Sequence, residues 1–386
     1  MGGTAVGALI DFSFTAEVQE FILDGYRLAF DEALEDGVLD RPVELIVEVT
    51  EGLPRGSTRQ VLDAWKRLAE QGAVAVMGPL ISENAVDIRE YIDSEGHVAT
   101  IAWGGSDGLY GEWVYGLTNG SLPEEPALMA NYLAHNGAST VAVIVEDSYI
   151  GREYLAGFRD YCRFEGLRVV AEEWISQIST DLADPVARLK DVRADSIAYF
   201  GFGLPAVLIN RELTALGWDP MRVMTTAFLT APFTPEGMKA LNGWAGVDQY
   251  DEENLVGQAM LDRFNARHGY RPENFLAPYC YDLASTVAHA ISKAHPISAA
   301  GVKRGLERVK MLPAASGGKD TFISFGPHMH RGWLGAHYLV VRKANATSDV
   351  TIFANMGTTL EHRMTARTRE ERDATRQRHV VRGTIR

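Results

Sequence analysis

AVAVMGPLISENAVDIREYIDSEGHVATIAWGGSD, residues 73–107, reads as strand, turn, helix, strand, turn. The apolar run Ala73–Met77 stops at Gly78-Pro79, and a helical segment follows from Asn84 to Asp93. A second apolar run, Val98–Trp103, stops at Gly104-Gly105-Ser106. Two parallel strands joined by one crossover helix bring both turns to the same sheet edge. In open α/β sheets ligands bind at that carboxyl-terminal edge. Each turn carries a hydroxyl, Ser82 or Ser106, beside backbone N–H groups. The stretch therefore predicts a pocket for a small, anionic molecule.

The same alternation continues on both sides of it. Apolar, β-rich runs stand at 5–10, 43–49, 140–145, 167–173, 196–200, 222–226 and 243–246. Helical patterns separate them: in residues 58–71, for example, Val61, Leu62, Trp65 and Leu68 fall on one face. Alternating strands and helices predict an α/β protein with doubly wound parallel sheets. Strands that are apolar throughout fit sheets covered on both faces. Two such series can be counted, so the expected architecture is two parallel-sheet lobes joined by a hinge that the chain crosses several times. The expected first lobe is residues 1–120 plus 248–325, and the second is 121–247 plus 326–360. Residues 321–342 read as two strands around a Gly/His turn.

Composition narrows the function. A length of 386 residues suits two lobes better than one core, and 46% hydrophobic with 23% charged residues is ordinary for a globular protein. The net charge of −14 argues against a nucleic-acid partner, which needs a basic surface. The charge is uneven: residues 361–386 carry eight arginines against four acids, leaving the body at −18. This arginine-rich tail reads as a solvated end or as a contact for something acidic. Cys162 and Cys280, the two cysteines, lie in helical patterns and read as buried thiols, with a disulfide between them not demanded. His328-Met329-His330 is the one close histidine pair, and its turn context gives it no metal-site spacing, so neither a metal nor a cofactor is expected. No run reaches the ~18 consecutive apolar residues of a membrane span. The N-terminus, MGGTAVGALIDFSF, carries no basic region ahead of a long apolar core. That points to a cytoplasmic protein, or to a periplasmic or extracellular one whose signal peptide has been removed.

In this order and at these separations the motifs resemble those of the type I periplasmic (solute) binding proteins, in the leucine/isoleucine/valine-binding branch that serves ABC importers. The resemblance covers roughly residues 5–345. It is carried by Phe21–Ala29 with Gly25 inside it, by Gly78-Pro79-Leu80-Ile81-Ser82, and by Ala102-Trp103-Gly104-Gly105-Ser106. Glu146-Asp147-Ser148-Tyr149-Ile150-Gly151 and Tyr281-Asp282-Leu283 complete it. The resemblance implies that Ser82 and Ser106 hold a ligand carboxylate, with Gly104 and Gly105 offering backbone groups. Taken alone, Ser82 also reads as the cap of the helix beginning near Asn84. From the second lobe, the resemblance implies that Tyr149 and Phe202 close over the ligand.

One position departs from the family. Where its amino-acid binders place an acid for the ligand ammonium, this chain reads Thr225-Thr226-Ala227-Phe228. A buried ammonium without a partner costs several kcal/mol. An α-amino acid is therefore disfavoured unless Asp107, Glu83 or Asp282 supplies the charge. Phe12, Phe14 and Val18 stand where they would line the pocket floor. With Trp103, Tyr149, Phe202 and Phe228 they predict an apolar, aromatic-rich cleft.

Two motifs point elsewhere. Gly104-Gly105-Ser106-Asp107-Gly108 satisfies the G-x-S-x-G elbow of serine hydrolases, but no helical pattern follows it. Gly201-Phe202-Gly203-Leu204-Pro205-Ala206 imitates a dinucleotide turn, although in the third strand of its series rather than the first. The expectation is a non-enzymatic, substrate-binding protein of an ABC-type importer. Its ligand is a small organic carboxylate or amide, aromatic or branched, and its protein partner an ABC permease. The alternatives are a cytoplasmic ligand sensor on the same fold, resembling the amide-responsive regulators and contacting a regulatory protein, and a serine esterase using Ser106.

Overall fold

The computed structural model describes residues 2–203, 205–229, 239–272, 274–333, 338–347 and 350–355. The arginine-rich tail, residues 361–386, lies outside the described residues. The chain forms two compact units: Met1–Ser121 with Gln249–Tyr338, and Leu122–Asp248 with the segment from Leu339 on.

The first unit holds a five-stranded sheet: β1 (Thr4–Ile10), β2 (Val43–Val49), β3 (Ala75–Met77), β4 (Ala99–Ala102) and β5 (Val114–Gly116). The order is β2-β1-β3-β4-β5 and every pairing is parallel. Its helices include α1 (Ala16–Glu35), α2 (Thr58–Glu70) and α3 (Ser82–Tyr91), which runs into a π-helical turn, Ile92–Gly96. Local chemistry sets their starts. Thr15 Oγ1 accepts from the Val18 amide at the head of α1, and Ser57 with Gln60 forms a reciprocal capping box on α2. The apolar stripe of α2 then buries Val61, Trp65 and Leu68 against Leu9, Val76, Ala102 and Val114. The indole N–H of Trp65 donates to Thr100 Oγ1 on β4 at 2.9 Å, so the largest side chain of that core leaves no unpaired donor. Strand β5 is the element that the sequence hides, because its three residues sit among glycines and aromatics without any period.

The chain returns to this unit after Asp248 and adds α8 (Leu255–His268), α9 (Leu276–Ser292) and α10 (Ala299–Leu306). The helices of the second unit are α4 (Glu125–His135), ahead of its first strand, and α5 (Tyr149–Glu165), α6 (Ala183–Asp191) and α7 (Ala206–Ala215), which alternate with its strands. Helix α9 packs along α1 at Gly25, where a Cβ would come within 2.8 Å of Cys280 Cβ. That close approach is the physical reason for the glycine inside the first helix.

The second unit repeats the design. Strands β6 (Thr140–Glu146), β7 (Arg168–Ile175), β8 (Ser196–Phe200), β9 (Met221–Met224) and β10 (Trp244–Asp248) pair in parallel in the order β7-β6-β8-β9-β10. A short pair in the first unit supplies β11 (Leu312–Pro313) and β12 (Phe322–Ile323), which are antiparallel. Two further antiparallel strands, β13 (Val340–Thr347) and β14 (Val350–Asn355), extend the second sheet beyond β10. The central strands β1, β6 and β8 are almost entirely buried, whereas the edge strands β2 and β7 are half exposed. Their glutamates carry surface partners: Arg67 on Glu48, Arg159 on Glu172 and Arg188 on Glu173. Charged edges of this kind discourage strand addition.

One expected boundary moves. Residues 326–338, expected in the second lobe, fall in the first unit. The backbone explains it: the Gly116 amide donates to His330 O and the Gly332 amide to Gly116 O, both at 2.8 Å. Trp333 Nε1 then donates to Thr118 O at 3.0 Å. Of the two strands expected in residues 321–342, the first is the short β12 and the second begins at Val340 as part of the second unit's sheet.

Cys162 and Cys280 are both free and buried, and burial pushes both thiols well above the usual range. Neither thiol is therefore expected to react with an aromatic disulfide reagent under native conditions, and both should react once the protein is unfolded. Rapid labelling of either one in the native protein would contradict this packing.

Candidate functional site

Each sheet reverses its strand order at one place, and in sheets of this type the crevice at that reversal is where ligands bind. In the first unit the reversal lies between β1 and β3. Strand β1 delivers Asp11 there, and β3 delivers the turn from Gly78 to Ile81. Asp11 is fully buried. Its carboxylate accepts from the Leu80 amide at 2.6 Å, the Ile81 amide at 3.3 Å and Asn84 Nδ2 at 2.6 Å. Ile81 is the N-cap of α3 and makes no side-chain capping bond. Asp11 thus gives α3, from another strand, the anion that a helix N-terminus favours. Burial raises its carboxyl to about 6 against the pull of those hydrogen bonds.

Ser82 is the first residue of α3, not its cap. Its Oγ accepts from the Gly105 amide at 3.0 Å and so ties the turn after β3 to the turn after β4. The two turns are in close contact: a Cβ on Gly104 would lie 2.8 Å from both Ser82 Cα and Ser82 Oγ. Ser106 is buried, and its Oγ accepts from the Gly108 amide at 3.0 Å, capping the 3-10 turn Asp107–Leu109. Ser82, Gly104, Gly105 and Ser106 therefore form one cluster. The Gly105 amide is used within it, as the donor that joins the two turns. Val18, in the first turn of α1, is half-buried, as are Phe12 and Phe14, whose ring centroids are 5.0 Å apart. Trp103 points the other way: it is buried and meets Tyr279 of α9 edge-on at 4.6 Å, so it belongs to the core rather than to an aromatic lining.

The proposed alternative sources of charge resolve unequally. Asp282 accepts from the Ala315 amide at 2.7 Å and from the Ser316 amide and Oγ at 2.8 Å each. It holds the loop before β12 and is committed to it, and burial raises its carboxyl to about 7. Asp107 is largely exposed and lies 4.0 Å from Arg331 Nη1, while Glu83 is buried in the first turn of α3.

In the second unit the order reverses between β6 and β8. Glu146 ends β6 and repeats the role of Asp11. Its fully buried carboxylate accepts from Tyr199 Oη at 2.5 Å and from the Phe202 amide at 3.0 Å. Gly201 is required there, since a Cβ would lie 2.1 Å from Glu146 Cδ. Tyr149 opens α5 and is 44% exposed, the largest exposure among the expected contacts, and Phe202 is half-buried. Ala227 and Phe228 lie in the 3-10 turn Thr226–Leu229 and are both buried. The Phe228 ring covers β10 at Gly246, which leaves room for it by having no side chain. Phe228 therefore packs inside the unit rather than lining an exposed wall.

The sequence reading missed Glu125. Although residue 227 is alanine, a carboxylate does reach this turn, from α4. Glu125 is buried and accepts from the Thr226 amide at 2.7 Å, Thr226 Oγ1 at 3.2 Å and Tyr154 Oη at 3.0 Å. All three donors belong to its own unit, so Glu125 anchors the turn. No local signal marks it, because it stands in the first turn of a helix about a hundred residues away.

The two competing motifs lack the geometry they would need. Ser106 is buried and followed by a three-residue 3-10 turn, whereas a nucleophile elbow presents an exposed serine ahead of a helix. At Gly201–Gly203 the Phe202 amide is bonded to Glu146 and the Gly203 amide to Tyr199 Oη, so the donors a pyrophosphate would use are occupied, and a carboxylate stands in its place. His330 stacks on Tyr115 at 4.2 Å with its ring nitrogens near Val114 O and Pro327 O. Among the described residues no cluster of three or more His, Cys, Asp or Glu side chains forms a metal site, and no helix is long and apolar enough to cross a membrane.

A family profile described as periplasmic binding protein matches residues 5–336. No curated protein sequence matches the chain. Similar solved structures include a periplasmic binding protein type 1 from Bordetella pertussis Tohama I, with 17% identity and a TM-score of 0.79 over 92% of this chain and 100% of that one. The branched-chain amino acid transporter substrate binding protein LivJ from Streptococcus pneumoniae, in complex with isoleucine, shows 18% identity and a TM-score of 0.76 over 92% and 100%. A solute binding protein of an ABC transporter from Rhodopseudomonas palustris BisB5, in complex with 3,4-dihydroxybenzoic acid, shows 16% identity and a TM-score of 0.71 over 92% and 96%.

Proposed function

Because the chain belongs to the periplasmic binding protein family, we propose that it is the substrate-binding component of an ABC-type importer and takes a small organic carboxylate or amide. The supporting observation is the cluster at the ends of β3 and β4, where the turn carrying Ser82 and the turn carrying Gly104, Gly105 and Ser106 are tied by one hydrogen bond. Hydroxyls held rigidly at a helix N-terminus suit a carboxylate or amide oxygen. We assign Ser82, Gly104, Gly105, Ser106 and Val18 as the contacts that the first unit offers. Isoleucine and 3,4-dihydroxybenzoic acid, the ligands of two structural neighbours, have a carboxyl group in common. An α-amino acid is the less favoured guest, because Glu125 and Asp282 are each committed to donors of their own units. We place its work in the periplasm or outside the cell, as the family's name indicates, and its protein partner is a permease.

A thermal-shift panel of benzoate, 3,4-dihydroxybenzoate, isovalerate, benzamide and isoleucine tests this. An acid or amide present at 100 times its Kd raises stability by about 2.7 kcal/mol. Ser82→Ala combined with Ser106→Ala should abolish that shift while costing the free protein only about 1 kcal/mol per serine. No shift from any of the five compounds would count against the ligand class, and a shift from isoleucine alone would replace the carboxylate-or-amide preference with an amino acid.

A further inference from the structure

The helix N-terminus next to Ser82 already holds an anion, and that anion is part of the chain. Asp11 takes the Leu80 and Ile81 amides, the two donors immediately before Ser82, together with Asn84 Nδ2 from the same turn of α3. It comes from the neighbouring strand across the point where the sheet order reverses, which is the crevice where a guest would enter. A guest carboxylate on the Ser82–Ser106 cluster would thus be the second carboxylate at one α3 terminus. Two like charges so placed do not both stay ionised.

We propose that Asp11 makes carboxylate binding at this cluster proton-linked: an anionic guest binds together with one proton, which goes onto the Asp11 carboxylate, whereas a neutral amide binds without one. The inference rests on the ligand class proposed above. The charged groups on the elements around Asp11 include Glu44 and Glu48 on β2, Glu51 and Arg55 on the loop after it, and Glu83, Asp87, Arg89 and Glu90 in α3; Glu48 pairs with Arg67, and Arg89 donates to Gly108 O. Glu51 is bonded to Ser13 Oγ, and the loop reaches the Asp11 turn through the Gly52 amide on Asp11 O and the Leu53 amide on Asn84 Oδ1. The influences on the Asp11 carboxyl are its burial and, against it, hydrogen bonds from Asn84, Leu80, Ile81 and its own amide, with no neighbouring cation among them. Its carboxyl, raised to about 6, can take up a proton near neutral pH at little cost. Glu146 occupies the corresponding place in the second unit but is bonded to Tyr199 Oη in addition to one amide, so the two reversals are not chemically alike.

Titration calorimetry tests the linkage. Benzoate, 3,4-dihydroxybenzoate and benzamide are titrated at pH 5.5, 6.5 and 7.5, each in two buffers of different ionisation heat. The acids should bind on the order of tenfold more tightly at pH 5.5 than at 7.5, with close to one proton taken up at pH 7.5. Benzamide should show neither effect. Asp11→Asn, checked for folding by circular dichroism, should bind the acids with a flat pH profile. A flat profile for the acids in the wild type, or an unchanged slope in Asp11→Asn, overturns the linkage and leaves the ligand class standing. If none of the acids binds, the ligand class itself fails, and the linkage is then read from the carboxyl carbon resonance of Asp11 in the ligand-free protein. A midpoint near the usual 4 overturns the inference, and one near 6 sustains its premise.

Discussion

Gly78→Ala is expected to lower the melting temperature by about 10 °C or more. Gly78 has φ of +109°, a region that side-chain-bearing residues rarely occupy, and a Cβ there would lie 2.2 Å from Leu9 O. The neighbour is backbone of the central strand β1, so it cannot swing aside. Strain at the φ angle costs roughly 1–3 kcal/mol, and overpacking against backbone adds a comparable amount. For a unit of this size each kcal/mol corresponds to roughly 2–4 °C. The variant should also lose ligand response out of proportion to its stability, because the displaced turn carries Leu80, Ile81 and Ser82. Differential scanning calorimetry with and without the best-binding panel member measures both effects. A change within 2 or 3 °C (roughly the effect of 1 kcal/mol) would mean that the turn after β3 is not packed against β1 as described.

The second large effect concerns pH. Asp11 and Asp282 are acids whose carboxyls burial raises to about 6 and about 7, from an ordinary value of 3.8. The folded protein therefore binds more protons than the unfolded chain between about pH 4 and 7. Their contribution to stability is fully present below 3.8 and is lost as pH rises through 6 and then 7. Glu307 and Asp195 work in the opposite direction. Glu307 is lowered by its partners Lys303 and Tyr115 despite desolvation, and Asp195 by the Ser139 and Thr140 groups. Their stabilisation is present above the ordinary carboxylate range and is lost as pH falls through their depressed values. The Asp282 part can be isolated by comparison. Asp282→Asn removes a slope of up to about 1.4 kcal/mol per pH unit while keeping one acceptor for the Ala315 and Ser316 amides. Across pH 5 to 8 the wild type should lose on the order of 3 kcal/mol relative to the variant, as read from urea midpoints. Parallel pH profiles for the two proteins would show that Asp282 is not the buried, loop-holding carboxyl found here.

The fold was legible because periodicity and turn chemistry act locally. The run 73–77, the Gly78-Pro79 break and the helix after it needed no distant information, and they became β3, its turn and α3. The same holds for the interior glycine of α1, which the Cys280 contact explains. The grouping of Ser82 with Ser106 was legible too, since a crossover between adjacent parallel strands forces their ends together. What escaped were partners brought together by tertiary structure. Asp11 reaches across 69 positions to the Leu80 amide, and Glu125 across 101 to Thr226. Neither separation leaves a pattern in the chain. The roles of Trp103 and Phe228 escaped for a related reason. An aromatic after a strand looks the same whether it turns towards a guest or, as here, towards Tyr279 or Gly246.

If the Ser82–Ser106 cluster selects a small carboxylate or amide, its loss should empty the site. Equilibrium dialysis of a small-molecule cell extract against the wild type and against the Ser82→Ala/Ser106→Ala protein, with mass spectrometry of the retained compounds, tests it directly. The wild type alone should retain one or a few small acids or amides at near-stoichiometric amounts. Retention of the same compounds by the double variant, retention of a nucleotide or an amine without a carboxyl or amide group, or no enrichment by the wild type over the variant would contradict it.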